Sequence, residues 1–262
     1  MAITDDYGQL DARVRIDEVS KHYDGEGGLV RALESVSFDV NDGEFVCIVG
    51  PSGCGKTTLF RIIAGLEAAT DGDVYLSGER VEGPTPDMGV VFQEYHLFPW
   101  RTVRGNVAFG LEKQDVPKTT RQKRVEELVE LVGLEGFEES YPKALSGGMK
   151  QRVAIARALA ADPALLLMDE PFGAVDAQTR EMLQTELLDI WEQTGKTVLF
   201  VTHDVEEAVK LADRIVVMAK EPGRVDETVE VDLPRPRSRS NTDFGSYYER
   251  VLDLIRGDRN RV

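Results

Sequence analysis

The chain has 262 residues, 42% hydrophobic and 7% aromatic, enough for a core that needs no staples and too apolar for disorder to be expected. Its 47 acids against 31 bases leave a formal net charge of −16, a poor match to a polyphosphate backbone, so nucleic acid is not expected as a partner. This acidity reads as a well-solvated, self-repelling surface, or as adaptation to a salt-rich, halophilic cytoplasm, where screening shrinks from ~8 Å to ~3 Å at molar salt.

Residues 1–17 carry acids where a signal peptide needs a basic and then an apolar segment, so none is expected there. The most apolar stretch, Ala158–Met168, is broken by Asp162 and Pro163 and is too short to span a bilayer. Any membrane crossing is therefore expected in another chain. Cys47 and Cys54, the only cysteines, do not suggest a disulfide framework.

Val14–Val19 and Val36–Val40 read as strands joined through a glycine-rich turn at Asp24–Gly28. Phe45–Val49 is an unbroken apolar run ending at glycine, as expected of a strand buried on both faces. Lys56–Ala64 follows as a helix, and Val74–Leu76 and Gly89–Phe92 as further strands. From Val107 to Ala161 the pattern is mostly helical. Val125, Leu128, Val129 and Val132 form one apolar face that stops at Gly133. Met149, Val153, Ala156 and Ala160 form another, capped by Ser146 and ended before Pro163.

Strand logic then returns with Ala164–Met168, followed by a helix over Ala177–Gln193 and a strand over Thr197–Thr202. Asp204–Ala212 reads as a helix whose Asp204–Glu207 spacing fits a capping box, and Arg214–Met218 as a last strand. The alternation implies an α/β protein with a mainly parallel sheet covered on both faces and a helical insertion. Beyond Pro234 the run PRPRSRSN reads as a surface linker before a short helix, Tyr247–Ile255.

The chemistry begins at Gly50-Pro51-Ser52-Gly53-Cys54-Gly55-Lys56-Thr57-Thr58, a phosphate-binding loop pattern between an apolar strand and a helix. Its glycines let backbone N–H groups curl around phosphate oxygens. Lys56 is expected to reach the β- and γ-phosphates of ATP, and the Thr57 hydroxyl to bind Mg²⁺. Leu165–Met168 is an apolar strand ending in Asp169 and Glu170. Asp169 is placed to hold Mg²⁺ and Glu170 to act as general base toward the attacking water.

Leu145-Ser146-Gly147-Gly148-Met149-Lys150-Gln151-Arg152 adds a serine and two glycines at a helix start, a second phosphate site that one nucleotide in one domain does not need. Here the chain resembles the ATP-binding-cassette family, over roughly residues 13–235. The resemblance implies a P-loop NTPase (RecA-like) core, an N-terminal antiparallel β-subdomain and an inserted α-helical subdomain at about 94–160. The cassette would run over 11–235, with a tail at 236–262.

The family's subunits pair head to tail, so Ser146, Gly147 and Gly148 of one chain would close over ATP held by the other. By the same resemblance Gln93 would sense the γ-phosphate and Mg²⁺, Asp176 would lie in the seam-crossing loop, and His203 would contact the γ-phosphate. Tyr23 would stack on adenine. Catalytic roles thus fall on Glu170, His203, Gln93 and Lys56, and metal contacts on Thr57, Gln93 and Asp169.

Glu94–Val103 places aromatics beside Gln93 that would suit a socket for a membrane subunit, or would fill the helical subdomain. Phe98-Pro99-Trp100-Arg101-Thr102-Val103, Met149 and Val231–Arg237 resemble the nitrate, sulfonate and taurine importer branch. That implies a second ATPase subunit, integral membrane permease subunits, an extracytoplasmic solute-binding protein, and a place on the cytoplasmic face of the cell membrane. Another importer branch, an exporter or a soluble cassette remains open at this point. Two positions depart from common family patterns: Val175 stands for a leucine in the seam loop, and Met149 for a glutamine.

Overall fold

The computed structural model describes residues 12–25 and 28–257. The expected domain start at residue 11, residues 26 and 27 of the first turn, and residues 258–262 of the tail lie outside the described residues.

Two sheets organise the chain. The first is antiparallel, in the order β2-β1-β4-β5, from β1 (Ala12–Gly25), β2 (Gly28–Asn41), β4 (Asp71–Leu76) and β5 (Glu79–Arg80). The hairpin β1–β2 is longer than the hydrophobic pattern predicts. Its register shifts between Ile16/Val19 and again on to Lys21, interrupting the strict alternation on which the shorter boundaries rest.

The second sheet runs β10-β9-β3-β8-β7-β6. Here β3 is Phe45–Val49, β6 Met88–Val91, β7 Leu165–Asp169, β8 Thr197–Val201, β9 Arg214–Ala219 and β10 Arg224–Glu230. All neighbours are parallel except β9 and β10. Every residue of β3 and of β8 is buried, as both-face coverage requires. β10 escapes sequence detection because RVDETVE alternates charge with little apolar content, and it sits at the sheet edge.

One core lies under each face of this sheet. On one side Val46, Ile48, Leu165, Leu167, Leu199 and Val216 meet the β1–β2 sheet and α1 (Lys56–Ile63). On the other, Phe45, Phe200 and Phe172 stack in sequence at 5.9 and 5.7 Å, each such pair contributing about 1 kcal/mol beyond its buried area.

Between β6 and β7 the helical insertion forms as expected. It comprises α2 (Val103–Val107), α3 (Phe109–Lys113), α4 (Lys118–Leu131) and α5 (Gly147–Leu159). Val125, Leu128 and Val129 of α4 are buried, and Ser146 caps α5 by accepting from the Met149 N–H at 3.2 Å. After β7 come α6 (Ala177–Thr194) and, after β8, α7 (Val205–Leu211); α8 (Thr242–Gly257) ends the described chain. Among the described residues no helix is long and apolar enough to cross a membrane.

Two local expectations are corrected. The capping box at α7 is only half formed. Asp204 accepts from the N–H groups of Glu206 and Glu207, but the Glu207 side chain turns inward, and the Asp204 N–H bonds Thr202 instead. The run after Pro234 lies mostly at the surface, as expected, but it is anchored and not a free linker. Arg237 is buried and donates to the carbonyls of Leu233, Val209, Ala212 and Val231, and α8 packs on α7 and β9.

Candidate functional site

Parallel register brings the motifs to one edge. Val49 ends β3, which is paired with β8 so that Ile48 faces Val201; β7 is paired with β8 so that Asp169 faces Val201, and with β6 so that Met168 faces Val91. The phosphate loop, His203, the Asp169–Glu170 pair and Gln93 therefore all leave the carboxyl ends of adjacent strands, where open α/β sheets hold ligands.

The loop's shape depends on its glycines. A Cβ at Gly50 would lie 2.6 Å from the Met218 carbonyl and 2.7 Å from Cys54 Sγ. Gly55 caps α1 at φ 93°, and a Cβ there would meet Leu33 at 2.6 Å and the Ala32 carbonyl at 2.8 Å. Ser52, Gly53 and Thr57 are exposed, whereas Cys54 is fully buried, which raises its thiol pKa. Lys56 is also buried, its ammonium bonding the Gly50 and Pro51 carbonyls at 2.8 and 3.2 Å. That ammonium faces into the loop, where phosphate oxygens would offer a better acceptor than neutral carbonyls.

Glu170 has φ 44°, left-handed for a non-glycine residue, and its N–H is tied to the Val201 carbonyl at 2.8 Å. Its Oε2 lies 2.9 Å from His203 Nδ1, the closest contact between two of the expected catalytic groups. Gln93 reaches the same place: a Cβ on Gly173 would come within 3.2 Å of its amide nitrogen.

Burial first, and then the charge of Glu170, push the Asp169 pKa up to about 6, while Lys56 and Arg61 pull it down. The folded pKa lies above the ordinary 3.8, so this group favours folding less as pH rises through 6. Asp169→Asn is therefore expected to raise the melting temperature of the nucleotide-free, metal-free protein at pH 8. The gain should not exceed about 3 kcal/mol, with almost no effect near pH 4.

No cluster of three or more His, Cys, Asp or Glu among the described residues could hold a metal by itself. The protein donors at this edge are few and hard: the Thr57 hydroxyl, the Asp169 carboxylate and the Gln93 amide. That set fits an ion completed by phosphate and water oxygens, the habit of magnesium.

Of the other expected residues, Tyr23 borders the phosphate loop through Thr58, whereas those at the starts of α5 and α6 lie apart. Tyr23 is partly exposed on β1, its hydroxyl donating to Glu67 at 2.6 Å with Lys21 over its ring. Ser146, Gly147 and Gly148 start α5; their neighbours are Tyr95, Val175 and Thr179. No hydrogen bond joins them to residues 50–58 among the described residues. Asp176 caps α6, and the Thr179 hydroxyl and N–H hold its carboxyl below the usual range.

Two residues that sequence reasoning missed organise the segment after Gln93. Arg157 donates to the carbonyls of Tyr95 and His96. Asn106, fully buried, accepts from the Phe98 N–H at 2.8 Å and donates to the carbonyls of Phe98, Arg101 and Thr102. Only the fold could have shown them, because their partners are backbone atoms. Phe98 is half-buried, 4.5 Å from the Phe109 ring, while Trp100 is 71% exposed, so the two aromatics divide between filling and display.

A strand–loop–helix phosphate cradle, an acid pair and a histidine on neighbouring strand ends, and a serine–glycine helix start outside the cradle define an ATP-binding cassette. The chain belongs to the ABC transporter family, whose model matches residues 33–173, and it binds and hydrolyses ATP.

Among curated relatives, an uncharacterized ABC transporter ATP-binding protein of Methanocaldococcus jannaschii is 51% identical over 95% of this chain and 94% of its own length. The aliphatic sulfonates import ATP-binding protein SsuB of Bacillus cereus is 51% identical over 91% of this chain and 94% of its own. In structure, the chain is similar to an ATP-binding cassette solved as a dimer in a post-hydrolysis state with ADP and Pi. The TM-score is 0.73 and the identity 35%, covering 84% of this chain and all of that one. It is also similar to cbiO1 of Clostridium perfringens, part of the ABC transporter complex cbiONQ, with TM-score 0.77, 25% identity, and 97% and 96% coverage.

Proposed function

We propose that this chain powers an ABC importer for a small oxyanion or organic analogue of the sulfonate type, as one of two ATPase subunits bound to membrane permease subunits. A solute-binding protein outside the membrane would deliver the solute. The observation that carries the ATPase part is the 2.9 Å approach of His203 to Glu170 beside the phosphate loop. The import part is supported by the likeness to the sulfonate import protein over nine-tenths of the chain.

In this reading Lys56 and the N–H groups of residues 50–58 bind the phosphates, and Tyr23 receives the adenine. Thr57, Asp169 and Gln93 would hold a magnesium ion, which when bound neutralises charge on the terminal phosphates. Glu170 accepts the proton of the attacking water, with His203 orienting its carboxylate. Ser146 is exposed at the start of α5, and with Gly147 and Gly148 behind it would complete the site of a second copy.

The contact with a permease falls on Trp100, presented by a segment that Arg157 and Asn106 hold from beneath. It stands beside a groove of about 610 Å³ lined by Pro84, Met88, Val90, Phe98, Phe109 and Arg157. An exposed tryptophan on rigid backbone is the usual form of an interface anchor, worth 2 kcal/mol or more, or roughly 30-fold in affinity. Trp100→Ala is expected to lose most of the membrane-associated fraction on coexpression while the isolated cassette keeps its ATPase within about twofold. Unchanged recovery with membranes would overturn the docking role.

A further inference from the structure

Glu207 is the one acid among the buried side chains of the described residues, 4% exposed, and it makes no ion pair there. A bare carboxylate in that setting is costly, and burial indeed raises its pKa against the lowering effect of its hydrogen bonds. Both oxygens are engaged. Oε1 accepts from Gln184 Nε2 at 3.0 Å and Oε2 from Thr202 Oγ1 at 2.6 Å. The Thr202 hydroxyl in turn accepts from the Asp204 N–H at 3.0 Å.

The chain Gln184–Glu207–Thr202–Asp204 thus grips both flanks of His203. It borders a cavity of about 50 Å³ whose walls also include Glu170, Phe172 and His203. Gln184 is on α6, which begins just after Asp176, so one carboxylate joins the seam-side helix to the histidine loop.

We propose that Glu207 is a positioning residue for ATP hydrolysis: through Thr202 it fixes the loop that sets His203 against Glu170, and through Gln184 it ties that loop to α6. This rests on the reading of Glu170 and His203 as the hydrolytic pair. Both flanks are needed because His203 itself is exposed, with a side chain 66% accessible, and has no packing of its own to define its ring. Glu207→Gln keeps the size but replaces two charge-assisted acceptor contacts by neutral ones, and it keeps both only if the Gln184 amide turns over or the Thr202 hydroxyl accepts instead of donating. The exchange Glu207→Gln with Gln184→Glu restores donor against acceptor at both contacts.

The test is steady-state ATPase at saturating Mg-ATP for the full chain, with nucleotide affinity and melting temperature measured alongside. Glu207→Gln is expected to lower kcat about tenfold with the KM for ATP changed less than about twofold, since a small misplacement of a catalytic group is enough for such a loss. In a His203→Ala background the same substitution should cost less than about twofold, and the Glu207→Gln/Gln184→Glu exchange should recover most of the rate. If Glu207→Gln does not fold, Thr202→Val breaks the same bond in an isosteric side chain and should behave alike.

Equal losses with and without His203, or unchanged kcat in Glu207→Gln, would overturn the proposal. Full activity of His203→Ala would overturn both the proposal and the reading of the pair. Loss in Glu170→Gln together with equal losses across the two backgrounds would sink the proposal alone.

Discussion

Replacing Glu170 by Gln is expected to reduce ATP turnover by about 10²- to 10⁴-fold while leaving ATP binding within a few-fold of the parent, the range for removal of a general base. The exchange is nearly isosteric, so it isolates proton acceptance. The backbone that places the group, with φ 44° and its N–H on Val201, does not depend on the side-chain oxygen. The binding elements, Lys56 and the loop 50–58, are on another strand end and keep their own hydrogen bonds. Phosphate release and titration with a fluorescent ATP analogue measure the two quantities separately. Turnover near the parent level would place the base elsewhere at the strand edge.

Arg237→Ala is expected to be among the most destabilising single changes in the chain, by about 3–5 kcal/mol, lowering the melting temperature by roughly 10 °C. The guanidinium donates at 2.8 Å and 2.5 Å to the carbonyls of Val209 and Ala212, which end α7, and at 2.9 Å to those of Leu233 and Val231, which follow β10. Helix ends leave such carbonyls without partners, and a cation there also meets the favourable end of the helix dipole. Burial pushes the Arg237 pKa down to about 10, so the charge is held at a cost that its four acceptors offset at neutral pH. Truncation removes the donor from four carbonyls, three of them in buried contacts, each worth about 1–3 kcal/mol before relaxation. Thermal unfolding followed by circular dichroism measures the effect. A loss under about 1 kcal/mol would mean that water or the tail replaces these bonds.

The edge that carries the candidate site was legible because each of its parts is local. A strand, a glycine loop and a helix in direct succession specify the cradle from residues 45–64. An apolar strand ending in two acids specifies Asp169 and Glu170, and a parallel sheet then brings their ends together whatever the loops between them do. The helical insertion was legible from the period of Val125, Leu128 and Val129, all three buried as expected.

What stayed hidden depends on contacts with distant backbone. Arg237 reads as polar linker, because no spacing announces that four carbonyls await it. Asn106 and Arg157 likewise bond only main-chain atoms of a neighbouring segment. Glu207 matched a capping-box spacing. Its helix, however, packs on β3 and α6, and the Glu207 side chain meets Gln184 of α6 and Thr202 just after β8, better partners than a solvated cap. Phe98 and Trp100 are two residues apart and chemically alike, yet the ring of Phe109 claims only the first.

The central claim of the proposal is that two copies of this chain close head to tail over ATP, because the serine–glycine start of α5 makes no hydrogen bond to the chain's own phosphate loop among the described residues. Light scattering coupled to size-exclusion chromatography of the Glu170→Gln protein, with and without saturating Mg-ATP, tests it most directly. The account predicts a mass of twice 29.1 kDa with ATP and a monomer without it. A monomer in saturating Mg-ATP, at low and at molar salt alike, would contradict it.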